Sequence, residues 1–176
     1  FLMEVLAEGG YRTGGFGKMH FAPLRAHHGF QHYACHEEQD PEAYREDDDY
    51  LMYLKENGYG HVRYGAGVKG LLYFQPQISA FPEEHHETKW VADQAIDFID
   101  TFHREPFFCY ASWMQPHWPV HVPASWADMY SADDMADPIL DEAPEQPFVS
   151  RMNRTASDLF DPDKPVLREI DLSVKP

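Results

Sequence analysis

The chain has 176 residues, with 30 acidic against 14 basic side chains and a formal charge of −16. A composition of 43% hydrophobic, 15% aromatic and 25% charged residues is that of a globular protein with material for a packed core, and it excludes a disordered chain. So acidic a chain repels phosphate backbones, and no run of about 18 apolar residues offers a membrane span, so neither nucleic acid nor a bilayer crossing is expected. Two cysteines cannot build a disulfide framework, whereas histidine, the side chain that titrates near neutrality, occurs 11 times. The length suits one domain, yet the chain opens at Phe1-Leu2-Met3 inside an apolar pattern, which points to a fragment.

In chain order, residues 1–8 carry Leu2, Val5 and Leu6 on one helical face, and Gly9-Gly10 supplies a stop. Tyr11 to Gly17 reads as a short strand. Residues 19–40 show no periodicity and read as a long loop holding His20, His27, His28, His32 and His36. The acidic run Glu46-Asp47-Asp48-Asp49 reads as a solvated helix N-terminus, where negative charge meets the helix dipole favourably, and it lacks the alternation of a calcium loop. Asp48 to Asn57 is then a helix with Tyr50, Leu51 and Leu54 inward and Gly58 beyond its end. Residues 59–82 are rich in Gly and Pro, with a brief apolar stretch at Leu71 to Phe74.

Glu87 to His103 carries the clearest amphipathic pattern, with Trp90, Val91, Ala95, Phe98, Ile99 and Phe102 in one stripe. Pro106 to Trp113 is a near-continuous apolar run, suited to a strand buried on both faces. Beyond Pro116 the chain is loop-rich, and the triplet Asn153-Arg154-Thr155 has the frequency of a chance match to a glycosylation acceptor.

Helix, strand and loop thus follow one another twice, at 1–30 and at 87–121. That alternation predicts an α/β fold, a mixed and mostly parallel sheet flanked by helices. Ligands of such sheets bind beyond the carboxyl ends of the strands, here Gly17-Lys18-Met19-His20 and Gln115-Pro116-His117-Trp118-Pro119. Residues 1–30 hold Glu4 and Glu8 against Arg12, Lys18 and Arg25, a balance of +1, whereas residues 31–60 set nine acids against Arg45 and Lys55. An anion is tolerated in the first segment and repelled in the second.

Lys18 and His20 are two residues apart, so an extended strand end presents both to one side, offering a cation and a base to one bound anion. By itself this pattern is weak, and a surface lysine beside a loop histidine is the more ordinary explanation. His117, between two prolines, suits either a rigidly held acid or base or a ring packed among Trp113 and Trp118. His117 and His121 have the i, i+4 spacing of zinc helices, but Pro119 and Pro123 argue against a helix there. Cys109 reads as core and Cys35 as incidental.

Leu6-Ala7-Glu8-Gly9-Gly10-Tyr11-Arg12-Thr13 running into Gly17-Lys18-Met19-His20-Phe21 resembles the Gly-Tyr-x-Thr…Gly-Lys-x-His element of the sulfatase family, the formylglycine-dependent arylsulfatase-type enzymes of the alkaline phosphatase superfamily. Trp90 to Ile99, then Pro106-Phe107-Phe108 and Pro116-His117-Trp118-Pro119, resembles a later helix–strand element of the same family that ends at an active-site histidine. Gly29-Phe30 and the helix up to Gly58 fit the family order, and the resemblance spans roughly residues 1–130.

The resemblance implies a hydrolase that cleaves small-molecule or carbohydrate sulfate esters with a formylglycine hydrate and calcium or another divalent cation. It assigns Lys18 to the formylglycine hydroxyl and a sulfate oxygen, His20 to deprotonation of the hydrate, and His117 to the leaving-group oxygen. Lys18, His117 and Trp118 are then the substrate contacts. The Cys-x-Pro/Ala-x-Arg signature and the family's metal-binding Asp elements are absent from this sequence. The expectation is therefore a partial catalytic domain, residues 1–130 its central part and 131–176 its loop-rich continuation, inactive as it stands and with no metal ligands of its own. Two other readings stay open. One is a phosphonate or phosphodiester hydrolase of the same superfamily; the other is a non-catalytic, His-rich metal- or carbohydrate-binding module using His27, His28, His32 and His36.

Overall fold

The computed structural model describes residues 1–37, 46–62, 76–117 and 119–137. The chain divides into two compact units, Phe1–Tyr130 and Ser131–Pro176, and the described residues of the second include a 3-10 turn at Ala132–Asp134. In the first unit the elements run α1 (Leu2–Glu8), β1 (Arg12–Gly17), β2 (His32–Cys35), α2 (Asp49–Glu56), β3 (Gln77–Ile78), α3 (Glu87–Phe102), β4 (Phe107–Ser112) and β5 (His121–Val122). β1 is the middle strand of a parallel sheet ordered β2-β1-β4, while β3 and β5 form a separate parallel pair. This is the α/β arrangement expected, a parallel sheet packed against helices.

Helix α3 lays Trp90, Val91, Ala95 and Phe98 into a core shared with Phe16 of β1, Tyr50 and Leu54 of α2, and Phe81. Its buried stripe is narrower than the one predicted, because Ile99 lies outside the buried face. Gly14 and Gly15 leave room for neighbouring rings: a Cβ on Gly14 would stand 2.9 Å from Phe98, and one on Gly15 would stand 2.8 Å from Phe30. Helix α2 is capped by Asp48, whose side chain accepts from the Leu51 amide, and Gly58 follows at φ +89°.

Five expectations need correction. The loop expected over residues 19–40 contains β2, which four short residues could not announce by periodicity; its register against β1, Gly14 beside His32 through Gly17 beside Cys35, holds it in place. Cys35 is accordingly fully buried at the strand end rather than incidental in a polar loop. β4 is an outer strand among the described residues, with Phe107 and Tyr110 exposed, so its apolar run is covered on fewer sides than expected. The acidic run is a helix start, but only Glu46 and Asp47 are solvated, whereas Asp48 is 1% exposed. On α1, Leu2 and Val5 are exposed, and no residue of that helix is buried. The stretch Leu71 to Phe74 and the Asn153 triplet lie outside the described residues. No described helix is long and apolar enough to cross a membrane.

Candidate active site

Three parallel strands end together. Gly17 stands beside Cys35 on one flank and Ser112 on the other, the Lys18 amide donates to the Ser112 carbonyl at 3.0 Å, and the His36 amide donates to the Gly17 carbonyl at 3.1 Å. Gly17 has φ +90°, and a Cβ there would lie 2.0 Å from the Ser112 carbonyl oxygen. Only glycine closes this junction, which is why the residue before Lys18 has no side chain. The chain therefore leaves β1 by a turn rather than as a continued strand, and His20 at φ +55° completes it. Residues 18–20 thus do not continue the strand, and the alternation expected to present Lys18 and His20 to one side does not apply there.

Glu37, two residues past β2, holds the turn. Its buried carboxylate accepts the Met19 amide at 2.8 Å, the His20 amide, and His20 Nδ1 at 2.8 Å. The Glu37 amide in turn donates to Asp48 Oδ2 at 2.9 Å. Asp48 also takes His36 Nδ1 at 3.0 Å, and the far nitrogen of His36 meets Glu87 Oε2 at 3.3 Å. Glu87, at the first position of α3, receives the Gln115 amide group at 3.4 Å, and Gln115 belongs to the turn in which the His117 amide donates to the Met114 carbonyl at 2.9 Å. His121 Nε2 lies 4.0 Å from Glu87, and its Nδ1 lies 3.2 Å from His86, whose Nδ1 caps α3 by accepting from Thr88. One buried polar chain thus runs from the His20 segment to the His117 segment.

Its electrostatics are self-consistent. Burial opposes charge on His36, but Asp48 and then Glu87 outweigh it and push the imidazole up to about 10, so both ring nitrogens donate to carboxylates. Burial would favour neutral Glu87, yet His36 above all holds it below the usual carboxylate range. His86 is held below its ordinary value by burial and by His121, and His121 by burial, so both rings stay neutral beside the charged triad. Neither cysteine is an activated nucleophile: burial, reinforced by Asp49, pushes the Cys35 thiol up to about 12, and burial also raises Cys109.

A model of the sulfatase family matches residues 1–162. The chain belongs to the sulfatase family. It is also 29% identical over 154 residues to a protein named arylsulfatase from Clostridium perfringens (strain 13 / Type A), an alignment covering 79% of this chain and 31% of that protein.

Within this sulfatase chain, Lys18 is half-buried directly past β1, His20 is exposed on the Glu37 carboxylate, and His117 is exposed on the turn after β4. Trp118 lies outside the described residues. Trp113 is partly exposed and donates its indole N–H to the Thr88 carbonyl, while Trp126 sits exposed in a 3-10 turn. The other histidines have separate employment. His27 packs on Tyr33, His28 on Phe1 and Phe21, and His32 on Phe98 and Phe102. Among the described residues no group of three or more His, Cys, Asp or Glu is arranged to hold a metal ion. Sequence reasoning missed Glu37, Asp48, Glu87 and Gln115. The one available signal was the His36-Glu37 pair, which gains meaning only when β2 is seen to end beside β1.

Proposed function

We propose that this chain is part of a sulfate ester hydrolase and supplies three of its working side chains. The observation that carries the reading is that Lys18 and His20 directly follow β1, and His117 follows β4, its parallel neighbour, in a sheet of a sulfatase-family chain. Residues 1–130 form the central part of the catalytic domain and 131–176 continue it. The formylglycine nucleophile and the divalent cation are contributed by segments outside residues 1–176. The described residues do not fit a metal, and both thiols are unsuited to nucleophilic attack.

The chemistry of this chain's own groups follows from their types. Lys18 offsets the negative charge that gathers on the sulfate oxygens as the S–O bond breaks. His20 accepts the proton that the attacking group gives up. His117 delivers a proton to the departing oxygen, a service that an alkyl or sugar leaving group needs more than an aryl one.

The test is kinetic, in the intact protein that contains this chain, with 4-nitrophenyl sulfate and a sulfated monosaccharide. Lys18→Ala is expected to lower kcat by about 100- to 1,000-fold on both. His117→Ala is expected to fall by about 100-fold or more on the sugar sulfate and by less on the aryl sulfate. Equal losses on the two substrates in His117→Ala, an unchanged kcat in Lys18→Ala, or turnover confined to bis(4-nitrophenyl) phosphate would overturn the reading.

A further inference from the structure

The Glu37 side chain is almost completely buried although Glu37 lies outside any strand or helix, and three donors converge on it from one neighbouring segment. Oε1 takes the Met19 and His20 amides, and Oε2 takes His20 Nδ1. A carboxylate only accepts, so the ring proton of His20 resides on Nδ1, and in the neutral imidazole the basic nitrogen is Nε2. The same carboxylate secures the backbone of His20 at φ +55°, a left-handed conformation that non-glycine residues seldom adopt. Glu37 is itself held from behind, because its amide is tied to Asp48, the buried N-cap of α2.

From this geometry we infer that Glu37 is a positioning residue for His20: it selects the tautomer and fixes the ring's aim without touching substrate. The inference deepens the hydrolase reading and rests on it for the role of His20. Glu37→Gln is a sharp perturbation. Two backbone amides still require an oxygen at the Oε1 position, so the new NH₂ group occupies the Oε2 position and donates to Nδ1. The ring proton is then driven to Nε2, and the basic nitrogen is turned away from its task.

In the intact protein, Glu37→Gln is expected to lower kcat on 4-nitrophenyl sulfate by about 10- to 100-fold, the range for removing the outer partner of a functional histidine, with KM changed by less than about 3-fold. Glu37→Asp, which keeps an acceptor-only partner, should recover most of that loss. Side-chain ¹⁵N resonances of His20 should report the Nδ1–H tautomer in the parent and in Glu37→Asp, and the Nε2–H tautomer in Glu37→Gln. A Glu37→Gln variant with parental kcat, or with an unchanged tautomer, overturns the inference. So does an equal loss in Glu37→Asp and Glu37→Gln, which would mark a merely structural carboxylate. The nitrogen resonances read the tautomer whether or not sulfate esters are turned over. A tautomer switch in a protein whose His20→Ala variant keeps full activity would therefore sink the hydrolase reading and leave the Glu37–His20 coupling standing.

Discussion

Replacing Asp48 by alanine removes three interactions of one buried carboxylate. The N-cap to the Leu51 amide at 3.0 Å is worth about 0.5–2 kcal/mol. The Glu37 amide loses its acceptor, a desolvation cost of about 1–3 kcal/mol. The His36 imidazolium loses one of its two carboxylates, and breaking a buried pair on one side costs about 3–5 kcal/mol. These effects share one network and do not add, so the expected loss is about 4–6 kcal/mol. That is a large share of the stability of an ordinary domain, roughly 5–15 kcal/mol. Urea unfolding followed by circular dichroism should show the midpoint falling by about 2–3 M, at an m-value near 2 kcal/mol/M, or no cooperative transition at all. Asp47→Ala, one residue away and exposed, is the control and should stay within about 0.5 kcal/mol. A loss below about 1 kcal/mol for Asp48→Ala, or equal losses for both, would refute the argument that this aspartate is an interior partner of His36.

The same network predicts a stability maximum between acid and alkali. The folded value of His36, about 10, lies above its ordinary 6.5, so its contribution is complete below about pH 6.5 and is lost as pH rises toward 10. The lowered values of Glu87, His86 and His121 work the other way. Their contributions are present above pH 4.5 for the acid and 6.5 for the histidines, and they are lost as pH falls through the folded values. Urea midpoints measured across pH should therefore peak between about 6 and 7, each group contributing a slope of at most about 1.4 kcal/mol per pH unit; a flat profile from 7 to 10 would contradict the charged state of His36. Gly17→Ala combines a left-handed φ with a 2.0 Å approach to a backbone carbonyl and should cost about 2–5 kcal/mol, whereas Gly58→Ala, at φ +89° with nothing within 4 Å, should cost only the conformational part, about 1–2 kcal/mol. Equal thermal shifts in the two variants would show that the β1–β4 junction can open without penalty.

The elements legible in the sequence are those whose pattern is local. The stripe of α3, the Asp48 and Gly58 punctuation of α2 and the glycine-rich β1 all follow from spacing within one segment. β2 was hidden because a four-residue strand beginning at an exposed His32 has no period to read, and its place is decided by β1. The two segments that hold Lys18, His20 and His117 could be located because they follow recognisable strands. The carboxylates behind them could not. Asp48 looks like any acid at a helix start and Glu87 like any first-turn glutamate; their burial depends on β2, α2 and α3 meeting around His36.

The middle strand of the sheet has one neighbour close along the chain and one very far. Residues 14–17 pair with 32–35, but residue 12 waits for residue 107, and Lys18 is not anchored until Ser112 arrives. During synthesis the β1–β2 pair can form early, leaving one edge of β1 unpaired while the next seventy-odd residues emerge, and parallel long-range pairing of this kind is intrinsically slow. The junction that fixes Lys18 is thus among the last parts of this unit to take shape. Until α3 delivers β4, the nascent chain carries a bare strand edge open to pairing with its neighbours.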